Sequence, residues 1–158
     1  MSRELISSEK FPPKPHNCEC LRESHADHVS WFLLTKLANR LSGPAVKVPG
    51  LVFCAGQTAT GEIRQATRVW LLESLTDARI TYLQRAVLQN LKEVLELAGS
   101  SLEKVVKYNV YLADMKDFAA MNEVYIDFLP NPKPSRSCLQ ALAPGKGTVI
   151  EIECIAQA

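Results

Sequence analysis

The sequence lacks a dominant charge and a long apolar segment. Its 18 basic and 17 acidic residues give a net charge of +1, so no strong overall field attracts nucleic acid or an anionic membrane. No apolar run is long enough to span a bilayer. The N-terminal residues include Arg3, Glu4 and Glu9 and contain no apolar secretory core. These absences predict an intracellular protein, cytoplasmic or mitochondrial with the cytoplasm favoured, that binds neither nucleic acid nor membrane.

The chain also lacks a regular cysteine framework. Five cysteines are scattered along it, at positions 18, 20, 54, 138 and 154, and an odd, irregular set predicts reduced thiols. Cys54, Cys138 and Cys154 lie in strand-like runs, where a small buried apolar residue is the usual role. Because no histidine follows His28 to act as a base, cysteine catalysis is rejected.

The residues that could bind a metal are confined to one short segment: His16, Cys18, Cys20, His25 and His28. The Cys-x-Cys spacing differs from that of common structural zinc sites, and no second pair of ligands follows. We therefore predict no metal site.

The most informative stretch of the chain lies at 133–138. Pro132 and Pro134 prevent a helix and favour an extended chain. In the strand predicted at 135–142, Arg136 and Cys138 share one face. A buried guanidinium needs an anionic partner, and its planar fork matches a carboxylate. Two interpretations follow from the spacing alone: a site for a small acid, or an edge-strand arginine in water.

Several separated motifs resemble those of one family. They are Glu-Val-Tyr at 123–125, Pro-Ser-Arg-Ser-Cys at 134–138 and Ile-Glu-Ile-Glu-Cys at 150–154, with Cys-Ala-Gly-Gln at 54–57, Asn-Leu-Lys at 90–92, Ala-Gly-Ser at 98–100 and Asp-Phe-Ala-Ala-Met-Asn at 117–122. In this order they resemble the RidA/YjgF family, the reactive-intermediate imine deaminases. The resemblance is almost continuous over 83–158 and less complete over 43–67.

The resemblance implies a single α+β domain over 1–158 with the chorismate-mutase-like fold, in which one mixed sheet packs against two helices. It also implies a homotrimer with sites in the clefts between neighbouring subunits. The sequence patterns agree with such a two-layer domain. They predict amphipathic helices at 83–98, ending at Gly99, and at 116–128, with strands at 105–112 and 148–156.

The implied reaction is hydrolysis of a 2-imino or enamine acid, such as 2-iminobutanoate or 2-iminopropanoate, to a 2-keto acid and ammonia. The resemblance assigns Arg136 to the substrate carboxylate, helped by the amide of Gly56. The backbone carbonyl of Cys138 would bind the substrate nitrogen, and Glu151 would hold or activate the attacking water as a general base. No metal or organic cofactor is expected, because an imine is already electrophilic.

This chain departs from the family pattern at several places. The family tyrosine is missing where Gly-Pro-Ala-Val stands at 43–46, and Ala55 replaces a serine. Residues 16–42 and 68–82 look like insertions; we interpret them as translated introns or a splice variant, with a genuine insertion as the alternative. The departures favour a second hypothesis, in which the chain is a non-catalytic family member that binds small carboxylates or protein partners. In this hypothesis the insertions make the chain inactive. RNA binding, also associated with the family, is disfavoured by the balanced charge.

The position of Arg136 relative to Glu151 is left open by the sequence. If 135–142 and 148–156 formed a plain hairpin, Arg136 would lie opposite Cys154 and face away from Glu151. A bulge or a different strand order would bring the two side chains to one face, since a shift of one residue reverses every side chain of a strand.

Overall fold

The computed structural model describes residues 4–6, 43–59, 76–142 and 147–158. These residues contain two α-helices, α1 (Thr76–Leu97) and α2 (Phe118–Phe128), and six strands that form one sheet in the order β1-β2-β3-β6-β4-β5. The strands are β1 (Glu4–Ile6), β2 (Ala45–Val48), β3 (Leu51–Thr58), β4 (Val105–Leu112), β5 (Ser135–Gln140) and β6 (Ile150–Gln157). The sheet is mixed, because β4 and β5 run parallel and the other pairs run antiparallel. The predicted α+β architecture is confirmed.

Helix α1 supplies much of the core. Its buried residues recur at helical spacing: Ile80, Leu83, Gln84, Val87, Leu88, Leu91, Val94 and Leu95. The helix begins at Thr76 rather than near 83, so the described part of segment 68–82 is helical and adds Ile80 to the core. The rest of that segment and all of 16–42 lie outside the described residues, and the insertion hypothesis remains a prediction.

The predicted end of α1 is confirmed at Gly99. Its φ of +75° is the left-handed conformation that glycine adopts without a steric cost. The Ser100 amide donates to the carbonyl of Leu95 at 2.8 Å, which is the closing hydrogen bond of a Schellman motif.

The two faces of the sheet differ in character. On β6, Ile150, Ile152 and Cys154 are buried against the helices, whereas Glu151 and Glu153 alternate to the opposite face, which we call the open face. Helix α2 packs on the core side as predicted: Met121, Val124 and Tyr125 are buried, with Phe118 and Phe128 partly buried. No described helix is long and apolar enough to cross a membrane.

The strand order differs from a plain hairpin, because β4 lies between β5 and β6. Tyr108 on β4 pairs with Arg136 on one side and with Cys154 on the other. Glu151 instead pairs with Tyr111. The intervening strand therefore leaves Arg136 in the row of Cys154, and Arg136 and Glu151 remain on opposite faces of the sheet.

Candidate functional site

Arg136 extends from β5 toward helix α2. Its guanidinium carbon lies 4.4 Å from the ring centre of Tyr125 and 5.7 Å from that of Phe118, within the range of cation–π attraction. Its Nη1 donates to the sulfur of Met121 at 3.6 Å. Two aromatic rings and a thioether thus fix the position of a half-buried cation.

Arg136 forms no ion pair with any carboxylate in the part of the chain that the structure describes. Ion pairs among the described residues include those of Arg85 with Asp127, Lys92 with Glu96 and Lys116 with Asp114, all at exposed positions. A partly buried guanidinium without a neutralising carboxylate is unfavourable unless an anion completes the site. The surroundings of Arg136 are therefore suited to an anionic ligand.

Cys138 lies two residues farther along β5, on the same face as Arg136. Burial raises the pKa of its thiol, and the positive charge of Arg136 opposes that shift. A raised pKa lowers the fraction of reactive thiolate. Strand β5 is an edge strand of the described sheet, so the backbone N–H and C=O groups of every second residue point away from β4.

Glu151 lies on the open face and contacts the backbone of Gly56. The pairing of β3 with β6 shifts register between Cys54 and Gln57, which places Gly56 in a bulge. A Cβ atom at position 56 would overlap the Glu151 carboxylate. Glycine leaves this space to the carboxylate, and the structure places Gly56 beside Glu151, whereas the resemblance assigns the Gly56 amide to the substrate carboxylate together with Arg136.

A hydrogen-bonded cluster lies beside Glu151 on the open face, and the sequence analysis missed it. Glu153 accepts hydrogen bonds from Asn109 Nδ2 at 2.7 Å and from the Tyr111 hydroxyl at 2.9 Å. The bond to Glu153 is the main cause of a raised pKa at Tyr111, with the charge of Glu151 a smaller one. The alternation of polar and apolar residues along β4 and β6 predicts that these side chains lie on one face of the sheet. Which of them meet depends on the strand register, here Asn109 opposite Glu153, and the sequence does not reveal that register.

A single chain does not bring Arg136 and Glu151 together. They lie on opposite faces of the sheet, and β4 separates their strands. Arg136 pairs with Tyr108 of β4 and Glu151 pairs with Tyr111, three residues farther along that strand. At ordinary strand spacings their backbones are roughly 14 Å apart. The predicted site residues thus form two separate groups, which we call the cationic half-site (Arg136 and Cys138) and the anionic half-site (Gly56 and Glu151).

The departures from the family pattern lie near these half-sites. Ala45 stands where the family has its tyrosine, is fully buried, and pairs with Cys54. Ala55 precedes Gly56 in the bulge and is exposed. Among the described residues no group of three or more metal-binding side chains is found; the segment 16–28, where metal was considered, lies outside them.

Comparison with known proteins gives concordant matches. Residues 35–158 match the family described as endoribonuclease L-PSP. The mitochondrial protein mmf2 of Schizosaccharomyces pombe is 46% identical over 115 residues, which cover 71% of this chain and 83% of that protein. The chloroplastic Reactive Intermediate Deaminase A of Arabidopsis thaliana is 38% identical over 125 residues, which cover 77% of this chain and 63% of that protein.

Solved structures agree with the sequence matches. RidA from an Antarctic Psychrobacter is 37% identical, with a TM-score of 0.61 over 75% of this chain and 89% of that one. A YjgF/YER057c/UK114 family member from Mycobacterium tuberculosis shares the fold at 21% identity, with a TM-score of 0.64 over 99% of this chain and 100% of that one. The sequence and structure matches agree, and the chain belongs to the RidA/YjgF family.

Proposed function

We propose that this chain hydrolyses small 2-imino acids and their enamine tautomers, such as 2-iminobutanoate and 2-iminopropanoate, to 2-keto acids and ammonia. The observation that carries the proposal is Arg136, a half-buried guanidinium held by two aromatic rings and paired with no described carboxylate. A substrate carboxylate fits this cation in bidentate geometry.

The proposed reaction adds water across the C=N bond. Arg136 fixes the carboxylate and the backbone carbonyl of Cys138 accepts a hydrogen bond from the substrate nitrogen, which orients the imine carbon. Glu151 takes a proton from the attacking water as the C–O bond forms and passes it to the nitrogen, which gives a carbinolamine. The carbinolamine hydroxyl then gives its proton to the nitrogen through Glu151, the C–N bond breaks, ammonia leaves, and the keto group forms. This scheme uses no metal or organic cofactor, because the imine carbon is already electrophilic.

The two half-sites require a partner in this proposal. We infer a homotrimer in which Arg136 and Cys138 of one subunit face Gly56 and Glu151 of its neighbour. The roughly 14 Å backbone separation within one chain supports this arrangement. Exposed apolar side chains on the open face, Phe53 at 42% and Leu139 at 59%, give neighbouring subunits an apolar surface to cover.

A complementation experiment tests the shared site. Arg136→Ala and Glu151→Gln, each inactive alone, are co-expressed in equal amounts so that their subunits mix, and ammonia release is measured with imine generated by threonine dehydratase. In a ring of equivalent sites, about one quarter combine an intact Arg136 with an intact Glu151 from the neighbour. The whole preparation should therefore regain about a quarter of wild-type activity.

Two results would contradict these proposals separately. No recovery in oligomers shown by mass spectrometry to be mixed would contradict the shared site. No ammonia release by the wild-type chain above the spontaneous rate would contradict the deaminase function itself.

The alternative is a non-catalytic member that binds small carboxylates through Arg136. Ala45 and Ala55, which stand where the family has tyrosine and serine, favour it. Calorimetry with 2-ketobutanoate distinguishes the two: binding that is lost in Arg136→Ala, without ammonia release by the wild-type chain, would support the binding protein. Of the two compartments predicted, mitochondria are named for mmf2 of S. pombe, and the predicted preference for the cytoplasm finds no support.

A further inference from the structure

Two buried thiols face each other within the sheet, and the proposed reaction uses neither. Cys54 on β3 and Cys154 on β6 are directly opposed partners of an antiparallel pair. They are 6% and 2% exposed, and both are free thiols. A hydrogen bond between the thiols, followed in importance by burial, raises the pKa of Cys154. The strand register places the two residues directly opposite each other, and both belong to the hydrophobic core.

The backbone geometry of this pair is compatible with a disulfide. Directly opposed residues of antiparallel strands have Cα atoms about 4.5–5.5 Å apart, and disulfides span about 4.4–6.8 Å. Cys138, the remaining cysteine within the described ranges, pairs instead with Val110 and lies two strands from β6. Among the described cysteines, only Cys54 and Cys154 are placed for direct cross-linking.

We propose that Cys54 and Cys154 are an oxidative modification site, at which hydrogen peroxide converts the two thiols into a reversible disulfide that joins β3 to β6. One thiolate attacks the peroxide, so that an S–O bond forms, the O–O bond breaks, and the departing oxygen leaves as water. The second sulfur then displaces the sulfenic oxygen as another water. Two thiols lose two hydrogen atoms, the peroxide is reduced to two waters, and a dithiol reverses the cross-link by exchange.

The surroundings of the pair make this a slow response. A raised pKa keeps thiolate scarce at neutral pH, and the buried position requires β3 and β6 to open before peroxide reaches the sulfur atoms. The cross-link would also lie in the row that runs from Ala45 through Cys54, Cys154 and Tyr108 to Arg136. The disulfide would thus join Cys54 to Cys154 in the middle of this row, and Arg136 lies at one end of the same row.

Peptide mapping tests the proposal directly. The folded chain is incubated with hydrogen peroxide, remaining thiols are alkylated, and tryptic peptides are analysed by mass spectrometry. Trypsin places Cys54 in peptide 48–64, Cys138 in 137–146 and Cys154 in 147–158. The expected product is 48–64 linked to 147–158, and it should disappear after dithiothreitol.

Matched variants separate this disulfide from unspecific oxidation. Cys138→Ala should keep the cross-link, whereas Cys154→Ala should abolish it. The oxidised wild-type chain should melt several degrees above its reduced form, because the bond closes a loop of about 100 residues, and Cys154→Ala should show no such shift. Should Cys154→Ala not fold, the wild-type comparison before and after dithiothreitol suffices. Both cysteines recovered as alkylated monomers, or linked to other cysteines, would overturn the proposal.

Discussion

Arg136 and Glu151 are held in place by different means. Arg136 at the β5 edge lies against side chains, the rings of Tyr125 and Phe118 and the sulfur of Met121. Glu151 lies against backbone, in space left free by the absence of a side chain at Gly56. The cationic half-site can therefore be altered one supporting side chain at a time, whereas the anionic half-site depends on clearance that any Cβ removes. This contrast leads to different expected responses to mutation.

The largest expected effect comes from removing the cation. Arg136→Ala should lower kcat/KM by about thirtyfold to several thousandfold, because removing one partner of a buried charge pair costs about 2–5 kcal/mol. Arg136→Lys retains the charge but loses the bidentate fork, so it should recover only part of the activity. Steady-state ammonia release provides the measurement.

Arg85→Ala is the matched control, because this exposed arginine pairs with Asp127 on helix α2, away from both half-sites. Its activity should equal that of the wild-type chain. Sedimentation should find the same oligomer for Arg136→Ala. Unchanged turnover in that variant would refute the role assigned to Arg136.

The second effect concerns the clearance at Gly56. Gly56→Ala places a Cβ into the Glu151 carboxylate; because this side-chain end can move, the loss of unfolding free energy should lie near the lower end of the about 1–3 kcal/mol usual for overpacking. Combining it with Glu151→Ala removes the overlap, so the double variant should recover most of that loss while remaining inactive. Urea denaturation of the two single variants and the double variant measures this coupling. Additive destabilisation would contradict the contact.

The third effect tests the aromatic support of Arg136. Tyr125→Leu removes the ring and should raise KM about three- to tenfold, in line with a cation–π contribution of about 0.5–1.5 kcal/mol. Tyr125→Phe keeps the ring and removes only the hydroxyl, which has no hydrogen-bond partner in the described structure. KM should therefore stay near the wild-type value. Equal KM changes in both variants would indicate that the ring does not position Arg136.

The two half-sites also differ in how far the sequence predicts them. Arg136 stood out because a cation in a short strand after two prolines is a local signal, and helices such as α2 follow from the spacing of their apolar residues. The position of Arg136 relative to Glu151 depends on which strand lies between β5 and β6, and that order comes from contacts distant in sequence. The start of α1 at Thr76 differs from the predicted start at 83, because residues 68–82 have no counterpart in the family pattern from which the boundary is predicted.

The smallest expected effect concerns the cluster beside Glu151. The hydrogen bond to Glu153, then burial, raises the pKa of Tyr111 above its unfolded value. The Tyr111 hydroxyl therefore binds its proton more tightly in the folded state than in the unfolded state. The stability that this difference contributes is complete below about pH 10 and is lost as pH rises through the folded-state pKa of Tyr111. The melting temperature of the wild-type chain should thus fall more steeply above about pH 10 than that of Tyr111→Phe, which has no proton to lose.

The other tyrosines do not affect this difference in melting behaviour between the wild-type chain and Tyr111→Phe. Tyr108 and Tyr125 also have pKa values raised mainly by burial, but both are present in the wild-type chain and in Tyr111→Phe, so their contributions cancel in the difference. At neutral pH, Tyr111→Phe should lose about 1 kcal/mol, the usual net value of one hydrogen bond. Parallel melting curves of the two proteins across this pH range would mean that the Tyr111–Glu153 bond adds nothing to stability.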